Sequence, residues 1–178
     1  MIRRQFLRQT GITALGFGLV AVTPLELLAQ IRKKISPNDT IGIGLIGCKG
    51  MGWSNLTSML RMSETRCVAL CDIDETVLDQ RKAELAKLEQ SPSLYRDYRK
   101  LLEDKDVDVV IIATPDHWHC LQMADACAAG KHVLVEKPVS NSIGEAEIML
   151  KAAQRYGTLV QVNQWQRSQQ HFKDAVAF

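Results

Sequence analysis

Two stretches decide how this chain is read: Ala113-Thr114-Pro115-Asp116-His117-Trp118-His119 and, one short helix later, Gly130-Lys131-His132-Val133-Leu134-Val135-Glu136-Lys137-Pro138. In each, an apolar strand gives way to polar groups beside a proline. Val107 to Ala113 reads as an apolar strand buried on both faces, the pattern of a parallel sheet covered on both sides. Open parallel sheets bind ligands at the carboxyl ends of their strands. Glu136 and Lys137 fall at such an end, and Pro138 biases Lys137 away from helical backbone. The pair therefore reads as an active-site edge. The competing reading, a surface ion pair, is disfavoured by the flanking strand and proline.

Working outward, the same alternation recurs. Ile41 to Ile46 reads as a strand and Met51 to Arg61 as a helix. Arg66 to Cys71 is a second strand. Asp74 to Glu89 follows as a helix with Leu78, Leu85 and Leu88 on one face, broken by Ser91-Pro92-Ser93. His117 to Ala129 is a helix closed by Gly130, and Val133 to Val135 is a strand. Ser142 with Glu145 spells a capping box for a helix whose apolar stripe is Ile143, Ala146, Leu150 and Ala153. Gly157 ends it, and Leu159 to Val162 is a further strand. This strict β-α alternation predicts an α/β fold, a doubly wound parallel sheet of the Rossmann type.

The two ends differ from this body. Arg3-Arg4-Gln5-Phe6-Leu7-Arg8 precedes a Gly- and Ala-rich apolar run from Gly11 to Val22, too short to span a bilayer comfortably. Paired arginines followed by Phe-Leu match a twin-arginine export signal, which predicts a periplasmic or exported protein. The alternatives are an ordinary secretory signal or an N-terminal helix. The expected organisation is a signal at 1–30, a linker at 31–40, a dinucleotide-binding domain at 41–163, and the start of a truncated second domain at 164–178. That last segment carries Phe172, Ala175 and Val176 at helical spacing and stops without a cap.

The formal net charge of +2 hides an asymmetry. Residues 1–40 hold six basic groups against two acidic, and the remainder holds sixteen against eighteen. Nothing there suggests a nucleic-acid surface. Five cysteines form no C-x-x-C pair. Cys67 and Cys71 in one strand lie about 13 Å apart at about 3.3 Å per residue, beyond disulfide reach. Buried, reduced thiols are expected, as for a protein that folds in the cytoplasm before export.

Gly42-x-Gly44-x-x-Gly47 matches a dinucleotide fingerprint as a pattern but lies inside a strand. The physically sensible turn is Gly47-Cys48-Lys49-Gly50-Met51-Gly52, with Lys49 where a second glycine usually stands. Gly47 permits the tight turn, Gly50 and Gly52 allow close approach, and the following helix N-terminus can receive a pyrophosphate through backbone N–H groups. Lys49 can still offer its N–H, and its ammonium can add to phosphate binding. Asp72 ends the second strand, 20 residues after Gly52, where an acid binds the adenosine ribose and repels a 2′-phosphate. That favours NAD over NADP. Asp74 suits the alternative role of helix cap better. Asp116, His117 and His119 lack the spacing of a zinc signature, so no metal is expected. Trp118 reads as a pocket wall or a core residue.

Lys137 is the strongest chemical candidate. Oxidising a secondary alcohol by hydride transfer requires removal of its proton and stabilisation of charge on its oxygen. A neutral lysine can do the first and an ammonium the second. Glu136 beside it can orient ribose or nicotinamide.

From Ile41 to about Ser168 the chain resembles the N-terminal half of the glucose–fructose oxidoreductase / inositol 2-dehydrogenase (Gfo/Idh/MocA) family. The resemblance rests on Gly47 to Gly52, Cys71-Asp72-Ile73-Asp74, Tyr98 to Leu102, Asp108 to His119 and Gly130 to Pro138. It implies NAD bound across this domain, sugar or polyol substrates, a homo-oligomer when full length, and a second α+β domain covering the nicotinamide. It implies further that Gly47, Lys49, Gly50, Met51, Gly52, Asp72, Thr114, Pro115, Asp116, His119, Glu136 and Lys137 bind the cofactor, and that Lys137 is catalytic. Arg167, in Gln164-Trp165-Gln166-Arg167-Ser168, matches a polar segment near the nicotinamide. Lys49 departs from the family pattern, and the second domain's usual His/Asp acid–base pair is absent from these residues. The implied activity is an exported oxidoreductase. The alternatives are a glycosidase using transient oxidation, or a non-catalytic NAD-binding module.

Overall fold

The computed structural model describes residues 40–177; the expected export signal and most of the linker lie outside the described residues. The body is a six-stranded, wholly parallel sheet in the order β3-β2-β1-β4-β5-β6. The strands are β1 (Ile41–Ile46), β2 (Thr65–Cys71), β3 (Ser93–Tyr95), β4 (Val109–Ile112), β5 (His132–Glu136) and β6 (Val160–Asn163). Helices α1 (Gly50–Met59), α2 (Glu75–Ala86), α3 (Tyr98–Leu102), α4 (His119–Ala128) and α5 (Ile143–Tyr156) connect them, and α6 (Gln170–Ala177) follows. This is the doubly wound order whose direction reverses between β1 and β4, which places the ligand crevice at the carboxyl ends of those two strands.

Two apolar clusters cover the two faces of the sheet. One gathers Ile43, Leu45, Leu56, Leu70, Leu78, Leu85 and Ile111, and the other Val110, Ile112, Leu101, Met123, Ala126, Val135 and Met149. Alternate residues of β4 thus enter opposite layers, as a strand with both faces covered requires. Strand β1 lacks side chains at two places because its neighbours come too close. A Cβ on Gly42 would lie 1.8 Å from the Asp106 carbonyl oxygen, and one on Gly44 3.0 Å from Leu101. The in-strand glycine pattern therefore serves packing.

Several sequence expectations need correction. On α5 the buried positions are Met149 and Ala152, whereas Ile143 is 83% and Leu150 60% exposed. The helix meets α4 along a line one residue away from the expected stripe. Leu88 lies past the C-cap of α2 at Lys87 and is exposed. Strand β4 starts at Val109. Asp108 stays outside it, where its carboxylate accepts from the Gly42 N–H (2.8 Å). The helix expected from His117 opens as a 3-10 turn, Asp116–Trp118, before α4. The edge strand β3 was not expected at all. Of the expected Ser142–Glu145 capping box the forward half is present, Ser142 Oγ accepting from the Glu145 N–H, while the return bond is shifted by one residue: Glu145 Oε2 accepts from the Asn141 N–H.

Candidate functional site

The turn after β1 is shaped by the absence of side chains. Gly47 has φ +89°, and a Cβ there would meet the Ala113 carbonyl oxygen at 2.7 Å. Gly50 has φ +43° and nothing within 4 Å of its missing Cβ. A Cβ on Gly52 would lie 2.2 Å from the Gly47 carbonyl oxygen and 2.8 Å from Ala113 Cβ, so α1 starts directly against the Gly47 backbone and the Ala113 side chain. The first N–H groups of a helix have no partner within it. Those of the exposed Gly50 and Met51, with buried Gly52 behind them, thus stand at the switch point, a cradle suited to a pyrophosphate.

Asp72, at the end of β2, braces this turn. Its Oδ2 accepts from the Cys48 N–H (2.8 Å) and its Oδ1 from the Asp74 N–H (3.1 Å). Each oxygen keeps a second lone pair, and the carboxylate is partly exposed. Asp74 caps α2 by accepting from the Thr76 N–H. It also pairs with Lys49 Nζ (2.9 Å) in an exposed ion pair, whose ammonium holds the Asp74 carboxyl below its ordinary range. The Lys49 side chain is thus turned toward Asp74. Arg81 closes the back of the turn: its Nε donates to the Cys48 carbonyl (3.1 Å), and its guanidinium lies over the Trp53 ring. All five cysteines are free and buried. Burial pushes the Cys67 and Cys71 thiols up to about 12, and Cys48 higher still.

Across the switch point, the β4 and β5 ends are joined through His119. This imidazole is 1% exposed; Nδ1 lies 2.8 Å from the Pro138 carbonyl oxygen and Nε2 2.9 Å from that of Thr114. Thr114 Oγ1 donates to Gln122 (2.7 Å). Asp116 Oδ1 accepts from the His117 N–H, and Pro115 and Trp118 are exposed. Lys131 is also structural: its ammonium donates to the Asp104 and Val107 carbonyls at 2.7 and 2.8 Å.

Glu136 is 6% exposed, and both oxygens of its carboxylate already accept hydrogen bonds. Oε1 accepts from Asn55 Nδ2 of α1 (2.6 Å) and from Asn163 Nδ2 of β6, and Oε2 accepts from the Lys137 N–H (3.1 Å). Asn163 Nδ2 also reaches Asn55 Oδ1 (3.0 Å). Lys137 itself is exposed, and its peptide bond to Pro138 is cis. The structure therefore gathers Gly47, Gly50, Gly52, Asp72, Thr114, His119, Glu136 and Lys137 along one edge of the sheet. Arg167 stands exposed in a 3-10 turn, Trp165–Ser168, outside these contacts. Asn55 and Asn163 escaped the sequence reading. Asn55 lies three residues after buried Gly52, so a polar residue on an inward-facing helix stripe was the available signal.

Among the described residues, no group of three or more His, Cys, Asp or Glu side chains is placed to hold a metal ion. No described helix is long and apolar enough to cross a membrane. A cavity of about 220 Å³ lined by Glu75, Leu78, Asp79, Leu94 and Arg96 shares no residue with the switch-point site.

Residues 41–164 match a family model described as an oxidoreductase family with an NAD-binding Rossmann fold, Gfo/Idh/MocA. The chain is similar to a glycosyl hydrolase family 109 protein of Shewanella putrefaciens, 28% identical over 169 residues, covering 86% of this chain and 37% of that protein. It superposes on the Lactobacillus casei scyllo-inositol dehydrogenase solved with NAD(H) and scyllo-inositol, with a TM-score of 0.70 and 26% identity, covering 77% and 40% of the two chains. It also superposes on an NAD-binding oxidoreductase of Klebsiella pneumoniae (TM-score 0.61, 34% identity, 69% and 34% covered). The chain thus spans well under half the length of these relatives.

Proposed function

Because this chain belongs to the Gfo/Idh/MocA family of NAD-binding Rossmann-fold oxidoreductases, we propose that it is the cofactor half of an exported enzyme that oxidises a sugar or polyol hydroxyl by hydride transfer. One observation carries the reading. The helix that opens at the pyrophosphate cradle and the segment that presents Lys137 are joined directly, through Asn55 and Glu136 at 2.6 Å. Phosphate cradle and candidate base thus belong to one rigid edge.

NAD, when bound, supplies the hydride acceptor. The chain's own residues do the rest. The Gly50, Met51 and Gly52 N–H groups bind the pyrophosphate, and Asp72 accepts from the adenosine ribose hydroxyls and repels a 2′-phosphate. Thr114, Pro115, Asp116 and His119 form the β4 wall, and Lys137 Nζ holds the proton of the reacting hydroxyl. Arg167 and the residues after it contribute from a second domain that covers the nicotinamide. Export through Arg3-Arg4 would carry the folded protein out with its nucleotide, so the complex should survive purification.

A second reading is favoured by the name shared by several curated relatives, glycosyl hydrolase family 109. There a sugar hydroxyl is oxidised, the neighbouring C–H becomes acidic, the aglycone is eliminated, water adds, and the carbonyl is reduced again. The deciding experiment offers polyols, free sugars and aryl glycosides to the complete protein. Stoichiometric NADH supports the dehydrogenase. Glycoside hydrolysis without NADH accumulation supports the second reading.

A further inference from the structure

We infer that Asn55 and Asn163 are positioning residues for Lys137, acting through the buried Glu136 carboxylate. The inference rests on Lys137 being the proton-holding group. Glu136 and Asn163 are register partners at the ends of β5 and β6, so their side chains point to the same face of the sheet. Asn55 reaches the same carboxylate from the second turn of α1. A buried carboxylate is costly unless its lone pairs are filled. Here three of its four lone-pair sites are filled, by two amides and one backbone N–H, with no cation in contact.

That third donor is the consequential one. The Lys137 N–H donates to Glu136 Oε2 on one side, and on the other the Pro138 carbonyl lies 2.8 Å from His119 Nδ1, from which it accepts in the Nδ1–H tautomer. The exposed lysine therefore springs from a backbone clamped on both flanks. The two asparagines determine where the carboxylate sits, and the carboxylate determines the direction in which Lys137 leaves the strand. The side-chain hydrogen bonds of both amides go to Glu136 and to each other. Their effect should appear in the chemical step, where a displacement of about 1 Å can cost about 10²-fold.

The test uses the complete protein and Asn163→Asp, which replaces the donor to Glu136 with a second carboxylate. Expected is a fall in kcat of about tenfold or more, with the NAD Kd within about twofold of the parent. An Asn163→Asp protein that melts like the parent and keeps its kcat overturns the inference. Should Asn163→Asp not fold, Asn55→Ala decides: about threefold lower kcat at unchanged Kd is expected, and unchanged kcat overturns it. Lys137→Met, run alongside, separates the two layers. Turnover retained there removes the functional reading itself. Turnover lost there, with Asn variants at parental kcat, removes this inference alone.

Discussion

The two sides of the switch point are built by opposite means. After β1 the chain makes a site by leaving side chains out: Gly47, Gly50 and Gly52 let the turn fold tightly and seat α1 so that its first backbone N–H groups stand at the carboxyl end of β1. After β5 it makes one by burying polar side chains, with Asn55, Asn163, Glu136 and His119 holding a short backbone segment from which Lys137 emerges. A pyrophosphate spreads its charge over several oxygens and is met by several N–H dipoles, so backbone suffices. A proton transfer needs one group at one place, and only a side chain whose neighbours are fixed can provide that.

Removing the amine should break the second half alone. Lys137→Ala in the complete protein is expected to lower kcat by about 10²–10⁴-fold while leaving the NAD Kd near the parental value. Initial rates and a fluorescence titration on the same sample check it. Gly52→Ala attacks the first half. Its Cβ would lie 2.2 Å from the Gly47 carbonyl oxygen, so a loss of about 1–3 kcal/mol in stability and a weakened NAD complex are expected, read by melting with and without nucleotide. Nucleotide affinity at the parental value would show that the close seat of α1 is unimportant to the cradle.

Lys49→Ala gives the smallest effect and the sharpest contrast. The ammonium is exposed and paired with Asp74, so NAD affinity should change less than about threefold; a salt-sensitive loss beyond tenfold would make the ammonium a phosphate ligand. The variant also has a pH signature. Lys49 lowers the Asp74 carboxyl in the folded state, so the pair stabilises the fold above the ordinary carboxylate pKa of about 3.9. That contribution disappears as pH falls through the lower folded value. Parent and Lys49→Ala melting curves should therefore converge below that window.

Much of this was legible in the sequence, and for local reasons. A strand followed by glycines and a helix, an acid 20 residues on, and a strand ending in Glu-Lys-Pro are all patterns within a few turns of chain. What escaped is non-local. Asn55, Glu136 and Asn163 are separated by 81 and 27 residues, and no periodicity links them. The α5 stripe was misplaced because Ile143, Leu150 and Met149 all fit an amphipathic helix; only contact with α4 selects Met149 and Ala152. Strand β3 has three residues, too few for an alternation to register. His119 was visible as a residue, but its bridge between two carbonyls depends on where β5 ends.

The strand order also sets a sequence of events in time. Strand β1 pairs with β2 a short helix later, but its other edge waits for β4, whose Val110 aligns with Gly44 66 residues upstream. A chain leaving the ribosome can assemble β3-β2-β1 as one sheet while β4 is still unsynthesised, leaving the inner edge of β1 unpaired meanwhile. The nucleotide crevice lies along that seam. Until the second half docks only the phosphate side of the crevice exists, so full cofactor capture should follow completion of the sheet.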